Sequence, residues 1–156
     1  MYSNKAVNDW VYDMAKLTKP DQIVWIDGSD SERERLTGQA CSTGELMHLN
    51  QDALPGCLYH RTAQNDVARV EHLTFICTEK KEDAGPTNNW MSSAEAYEKL
   101  RKLFDGSMTG RTMYVIPYLM GPAASSFSKV GIELTDSIYV VLNMRIMTRM
   151  GKVAMD

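Results

Sequence analysis

Two runs rich in β-branched and aromatic residues near the C-terminal end constrain the fold of this chain most strongly. Arg111–Tyr118 contains TMYVIPY, and Val130–Leu134 is a second run of the same character. Such residues are favoured in strands. The small-residue stretch between them, Met120–Ser128, contains Gly121-Pro122 and is typical either of a hairpin connection or of a loop that approaches a ligand closely. The sequence therefore predicts two strands joined by this loop.

Helical patterns interleave with these strands. Asn4 is placed to cap a helix that Pro20 stops, and Gln22–Ile26 reads as a short strand after it. Each of two later helices begins with a capping box, a serine followed three residues on by a glutamate. The first expected helix carries the apolar residues Val7, Trp10, Val11, Met14 and Leu17. The second begins at Ser29 with Glu32 and runs through about Leu36 to Ala40, and the last runs from Thr135 or Asp136 to about Met150. The third begins at Ser92 with Glu95 and ends at Gly106, and its apolar stripe is Ala96, Tyr97, Leu100, Leu103 and Phe104. We expect one mixed-sheet α/β domain over residues 1–156.

The middle of the chain contains shorter elements. Gly44–Asn50 is predicted to be a short helical piece, and Lys80–Asn89 a loop. Strands are expected at Cys57–His60 and at Leu73–Thr78. These two strands flank a charged segment that becomes important below.

Composition excludes several classes of protein. The 156 residues are 44% hydrophobic and 24% charged with a net charge of -3, which is typical of a globular domain and lacks the positive charge that nucleic-acid binding requires. No apolar run is long enough to span a bilayer, and the first ten residues do not resemble a signal peptide. The three cysteines, Cys41, Cys57 and Cys77, are scattered, which argues against a disulfide framework. Cys57 and Cys77 lie in apolar strand-like runs and are expected to act as small hydrophobes. We expect a reducing, cytoplasmic location, with neither a membrane nor nucleic acid as partner.

Motifs for self-contained catalysis are missing from the sequence. There is no phosphate-binding G-x-x-x-x-G-K-[ST], no G-x-G-x-x-G and no H-E-x-x-H, and His48, His60 and His72 are scattered. The sequence favours recognition chemistry over a complete active site.

The segment Asn65–Glu71, reading NDVARVE, is the best candidate for recognition. It presents Asp66, Arg69 and Glu71 within reach of one helical turn, between two apolar runs. An arginine fork matches a carboxylate or phosphate with two parallel hydrogen bonds. Charge alone favours a simpler interpretation, a surface turn whose charged side chains pair with each other.

Three long strings give the segment a second meaning. DVARVEHLTFICT (Asp66–Thr78), GRTMYVIPYLMGP (Gly110–Pro122) and GIELTDSIYVVLNMRIMTRMG (Gly131–Gly151) resemble the N-terminal domain of GTP-dependent phosphoenolpyruvate carboxykinase. WIDGSDSE (Trp25–Glu32) and NNWMSSAEAYEKL (Asn88–Leu100) fit the same family in order and spacing. The resemblance covers most of the chain.

The resemblance implies an activity and two site residues. Members of the family are lyases of gluconeogenesis that decarboxylate oxaloacetate and phosphorylate the product with GTP, yielding phosphoenolpyruvate, carbon dioxide and GDP. They use Mn²⁺ at the substrate and a second divalent ion, such as Mg²⁺, with GTP. By the DVAR motif, Arg69 binds the substrate carboxylate and Glu71 contacts the mobile lid. Because the nucleotide, metal and other catalytic residues of the family lie beyond the matched part, we expect no catalytic or metal residue in this chain and no cofactor bound by it alone.

The sequence also departs from the family and leaves other functions open. Ala124 and Ser126 stand where the family usually has a glycine and a proline, and Thr109 replaces a basic residue. Alternative hypotheses are a stand-alone module that binds a dicarboxylate or assembles with a separately encoded catalytic part, suggested by the end of the sequence after a well-formed helix, and a non-functional fragment. Exposure of Met144, Met147 and Met150 would favour a missing catalytic partner.

Overall fold

The structure is a computed structural model that describes residues 3–64, 66 and 70–155. Within these ranges the helices are α1 (Lys5–Thr18), α2 (Asp30–Thr43), α3 (Ser93–Phe104) and α4 (Ile138–Met147). The strands are β1 (Gln22–Trp25), β2 (Met47–His48), β3 (Leu58–Tyr59), β4 (Phe75–Ile76), β5 (Asn89–Trp90), β6 (Thr112–Met120), β7 (Lys129–Thr135) and β8 (Arg149–Met150). Short 3-10 helices cover Glu71–Leu73, Lys81–Ala84 and Gly151–Ala154. The α/β class with mixed sheets is as predicted.

The main sheet is organised around β6. This strand pairs in parallel with β1 and antiparallel with both β7 and β8. Pro117 is tolerated in β6 because it lies in a gap between two pairings. Along the edge of β6 opposite β7, β1 pairs only as far as Val115, and β8 pairs only from Tyr118 onward. The two strands that the sequence indicates most strongly therefore form the centre of the sheet.

Both faces of β6 are buried. Successive side chains of a strand point to opposite faces, so Tyr114 and Ile116 join one apolar cluster and Met113 and Val115 join another. The first cluster lies against α2 and α4, through Leu36 and Val141 among others, and the second lies against α1. Helices on both faces of the sheet make β6 the centre of the core.

The caps of α1 and α3 confirm the sequence prediction, and that of α2 modifies it. The Asn4 side chain accepts from the amides of Ala6 and Val7, and Ser92 with Glu95 forms a complete capping box. At α2 the Ser29 hydroxyl caps the helix, but the Glu32 carboxylate accepts instead from the backbone of Asp27 at 3.1 Å and of Gly28 at 3.0 Å. Burial raises the pKa of this half-buried carboxyl above its ordinary value of 4.5.

Two of the predicted elements differ from those in the structure. Gly44–Asn50 is not helical: Gly44 adopts a φ of 79° that ends α2, and Met47–His48 then pairs antiparallel with Leu58–Tyr59. The Gln51 side chain closes the intervening loop by bonding to the backbone of Leu49, Gly56 and Cys57.

The last helix is shorter than predicted. Ser137 caps it, rather than Thr135 or Asp136, because the Ser137 hydroxyl accepts from the amide of Val140. It ends at Met147, and Arg149 lies in β8 instead of in the last helical turn.

Four further expectations hold only in part or were wrong. The strands predicted around residues 57–60 and 73–78 form over two residues each, and the loop at 80–89 contains a 3-10 turn. Cys57 and Cys77 are exposed rather than packed as small hydrophobes, whereas Cys41 packs against the core. The apolar stripe of α3 is also largely exposed, as detailed below. No helix in the described ranges is long and apolar enough to cross a membrane.

Candidate functional site

The site predicted from the sequence lies in the connection between β3 and β4. Arg69, the predicted carboxylate ligand, lies outside the described residues, as do Asn65, Val67 and Ala68. Glu71 is described, and it is the first residue of the exposed 3-10 turn Glu71–Leu73. We call residues 70–78, which continue directly from Arg69, the site segment.

Local hydrogen bonds shape the start of the site segment. The Leu73 amide donates to the Val70 carbonyl at 2.8 Å, and the Thr74 amide donates to the Glu71 carbonyl at 3.2 Å. The Thr74 hydroxyl donates to the same Val70 carbonyl at 3.1 Å. These three bonds define a turn over residues 70–74.

The stretch Asn88–Ser93 holds the site segment from one side. The short strands β4 and β5 pair in parallel, with Phe75 opposite Asn89. The Asn89 amide donates to the carbonyls of Glu71 at 2.8 Å and Thr74 at 3.2 Å, and the Trp90 indole N–H donates to the Thr78 carbonyl at 3.1 Å. The site segment is therefore attached to the residues that lead into α3.

Burial contributes little to this arrangement. Val70, Leu73 and Ile76 are 42%, 62% and 39% exposed, and none of residues 71–73 is buried. Apolar burial is the main stabilising term in folded domains, so a segment without it depends on hydrogen bonds for its shape. Hydrogen bonds from residues outside the core therefore hold this exposed turn.

The Glu71 carboxylate belongs to an exposed residue. No described residue forms an ion pair or a hydrogen bond with it. Residues 3–64, 66 and 70–155 contain no group of three or more histidine, cysteine or acidic side chains placed to hold a metal ion.

A separate open cleft of about 690 Å³ lies between α2, α4 and the β2–β3 hairpin. Arg33, His48, Leu58, Leu142 and Arg145 are among its lining residues. Arg145 is already engaged, since it donates to the carbonyl of Gly28 and pairs with Asp30 at 2.8 Å. Among the described residues of the site segment, none lines this cleft.

The β6–β7 loop shows the consequence of a departure noted in the sequence. Ala124 adopts a φ of 61°, in the left-handed region that favours glycine. The Ser128 hydroxyl donates to the Pro122 carbonyl at 2.6 Å and Arg149 donates to the Gly121 carbonyl at 2.7 Å, so the loop keeps a compact form. The chain thus uses an alanine in a conformation suited to glycine.

Comparison with known proteins decides the family. Residues 9–156 match the model of the phosphoenolpyruvate carboxykinase N-terminal domain. The chain belongs to this family. It is 62% identical over 154 residues to "Phosphoenolpyruvate carboxykinase [GTP]" of Anaeromyxobacter sp. strain K, covering 99% of this chain and 26% of that protein.

Relatives in other bacteria agree. Proteins of the same name from Renibacterium salmoninarum and Chlamydia caviae are 52% and 51% identical, over 96% and 95% of this chain. The chain covers 24% and 25% of those two proteins, so it spans about a quarter of the length of these carboxykinases.

Sequence reasoning found the carboxykinase segment but missed how it is held. Asn89 is 18 residues from Glu71, and nothing in the string NNWMSS separates it from its neighbour Asn88. Only the parallel pairing of β4 with β5 brings Asn89 to the Glu71 turn. Because residues 80–89 were expected to form a loop, a strand pairing through Asn89 was not predicted.

Proposed function

We propose that this chain is the substrate-carboxylate-binding domain of a GTP-dependent phosphoenolpyruvate carboxykinase. The carrying observation is the 62% identity over 99% of the chain to a protein of that name. The reaction would convert oxaloacetate and GTP into phosphoenolpyruvate, carbon dioxide and GDP. In this proposal Arg69 binds the substrate carboxylate, and Glu71 contacts the closing lid.

The chemistry gives Arg69 a defined task. Loss of carbon dioxide from oxaloacetate leaves an enolate, whose oxygen then takes the γ-phosphoryl group of GTP. Phosphoryl transfer depends mainly on positioning and on charge stabilisation. A guanidinium that holds the remaining carboxylate through two parallel hydrogen bonds would fix the enolate relative to the nucleotide.

Glu71 supports a second task because it follows Arg69 by two residues and its carboxylate is exposed. A lid that docks on the Glu71 side chain would close over the substrate, whose carboxylate Arg69 holds in this proposal. Lid closure excludes water and completes the site. Removal of the Glu71 charge should therefore lower kcat/KM without abolishing substrate binding.

GTP, Mn²⁺ and Mg²⁺ would be bound by the part of a carboxykinase that this chain does not match. The described residues contain no metal-binding cluster, and we propose that residues 1–156 alone are inactive. The free thiols Cys41, Cys57 and Cys77 are compatible with the reducing cytoplasm in which we propose that the enzyme works.

Exposed apolar surface favours assembly with such a catalytic part. Ile146 and Met147 at the end of α4 are 84% and 72% exposed, whereas Met144 and Met150 pack against the core. On α3, Tyr97 and Leu103 are both 67% exposed. Large exposed apolar patches mark interaction sites, so these side chains support an assembly module more than a stand-alone dicarboxylate-binding protein.

Kinetics of a hybrid enzyme test the proposal. In the hybrid, these 156 residues replace the matching quarter of the Anaeromyxobacter sp. strain K carboxykinase. Because a hydrogen bond to a charged group contributes about 1.5–3 kcal/mol, Arg69→Ala should raise the KM for oxaloacetate at least about tenfold, with the KM for GTP unchanged. Arg69→Lys should recover part of this loss, since it restores the charge but not the fork.

Arg35→Ala is the matched control, because Arg35 is an exposed arginine on α2 with no described ion pair. It should leave both KM values unchanged. Unaltered oxaloacetate kinetics in Arg69→Ala would overturn the proposal, as would turnover by residues 1–156 supplied alone with Mn²⁺ and GTP.

A further inference from the structure

We infer that Asn89 is a positioning residue for substrate binding, acting by clamping the Glu71 turn that follows Arg69. The inference rests on the proposed function of Arg69 and adds a residue to that site. Its basis is one side-chain amide that bridges two carbonyls of the turn, those of Glu71 at 2.8 Å and Thr74 at 3.2 Å.

The orientation of the amide follows from its partners. Both are backbone carbonyl oxygens, which accept hydrogen bonds and cannot donate them. Only the NH₂ group of Asn89 can serve both, so its two hydrogens are directed to the two ends of the turn. The Glu71 carbonyl is already bonded to the Thr74 amide, and Asn89 joins it to a second strand.

The clamp has an anchored base. Asn89 pairs with Phe75 in the β4–β5 ladder, and the next residue, Trp90, donates its indole N–H to Thr78. Two residues further on, Ser92 forms the capping box that begins α3. The amide therefore links the Glu71 turn to the residues that begin α3.

The turn requires such a clamp because it is not packed. Residues 70–74 are all exposed, so burial does not select one conformation for them. If the turn explores other conformations, Glu71 and the end of the turn that joins Arg69 in the sequence adopt the productive arrangement in only a fraction of molecules. Apparent affinity falls in proportion to that fraction. Asn89 raises it without touching the substrate.

Asn88 provides a matched control within the same dipeptide. Its amide donates to one backbone carbonyl, that of Ala84 at 2.7 Å, in the neighbouring 3-10 turn. Asn88→Ala and Asn89→Ala therefore remove the same chemical group from adjacent positions. Only the second loses bonds to the Glu71 turn.

The test compares both variants in the hybrid enzyme. Asn89→Ala should raise the KM for oxaloacetate about fivefold, as expected when the competent fraction falls to about a fifth. The KM for GTP should not change, and neither variant should lower Tm appreciably. Asn89→Asp keeps the size of the side chain but turns carboxylate oxygens toward two carbonyls, so its effect should be at least as large as that of Asn89→Ala.

A double-mutant cycle separates positioning from an independent effect. If Asn89 acts through Arg69, Asn89→Ala should add little to the loss in Arg69→Ala. Hydrogen–deuterium exchange of the same proteins should show faster exchange at residues 71–76 in Asn89→Ala but not in Asn88→Ala.

Several outcomes would overturn the inference alone: equal kinetics in the two asparagine variants, normal kinetics in Asn89→Asp, additive losses in the cycle, or unchanged exchange at residues 71–76. Unaltered kinetics in Arg69→Ala would instead overturn the proposed function, and the role of Asn89 with it. The two failures are therefore distinguishable.

Discussion

The central strand β6 and the site segment at residues 70–78 are held in opposite ways. Met113, Val115 and Ile116 of β6 are fully buried between helices on both faces of the sheet. In the site segment Leu73 and Ile76 are 62% and 39% exposed, and hydrogen bonds from Asn89 and Trp90 take the place of packing. The central strand therefore depends on apolar packing, whereas the site segment depends on hydrogen bonds.

This difference has a consequence for function. A packed strand tolerates few conformations because its neighbours occupy the space around it. An exposed turn opens at low energetic cost, and segments that bind ligands or contact lids come from this less stable part of proteins. Weakening the scaffold should lower global stability, whereas weakening the turn should lower substrate affinity at nearly constant stability.

Shortening one isoleucine in each region tests whether burial stabilises β6 more than the site segment. Ile116→Ala removes a fully buried side chain and should lower the free energy of unfolding by about 3 kcal/mol. Ile76→Ala removes one that is 39% exposed and should cost less than about 1 kcal/mol. Urea denaturation measures both. Equal losses would contradict the division into packed scaffold and exposed segment.

Glu32 tests how much side-chain hydrogen bonds contribute within the scaffold. Its carboxylate accepts from the amides of Asp27 and Gly28, and Glu32→Ala leaves both half-buried amides without this acceptor. We expect a loss of about 2 kcal/mol in the free energy of unfolding. Glu32→Gln retains an acceptor and should lose less, whereas identical losses in the two variants would argue against these bonds.

The β6–β7 loop offers a stabilising change outside both regions. Ala124 adopts a φ of 61°, which strains an alanine but not a glycine. Ala124→Gly should therefore raise the free energy of unfolding by about 0.5–1 kcal/mol. Ala123→Gly is the control, since φ at Ala123 is not positive and the added flexibility should be neutral or destabilising. Loss of stability in Ala124→Gly would show that the strain is absent.

The smallest effect is expected at the capping box that anchors the Asn88–Ser93 stretch. Hydrogen bonds from the side chain and backbone of Ser92 hold the pKa of Glu95 below its ordinary value of 4.5. A depressed folded-state pKa contributes stability that is present above about pH 4.5 and is lost as the pH falls through the folded value. NMR titration should show the pKa of Glu95 rising towards 4.5 in Ser92→Ala. An unchanged titration would contradict the role of Ser92.

The sequence predicted best where local signals and packing agree. The caps at Asn4 and Ser92, and the strand at Arg111–Tyr118, all appear in the structure because each combines a local signal with a long periodic pattern. The family followed from long strings in order, which the comparisons confirm. The roles of Arg69 and Glu71 remain predictions from that resemblance.

What the sequence did not predict depends on contacts between distant residues. Met47–His48 is extended because Leu58–Tyr59 pairs with it, and Asn89 reaches Glu71 because β4 pairs with β5. The stripe on α3 predicted a packed face, yet Tyr97 and Leu103 are exposed. A helical period indicates which residues share a face, but it cannot indicate whether this chain covers that face.

Direct binding of phosphoenolpyruvate to the hybrid enzyme tests the central claim, that Arg69 holds the substrate carboxylate. Calorimetry of the parent hybrid and of Arg69→Ala would compare the two dissociation constants at equal Mn²⁺ concentration, independently of turnover. A constant at least about tenfold weaker in Arg69→Ala is the predicted result. Equal dissociation constants would contradict the assignment.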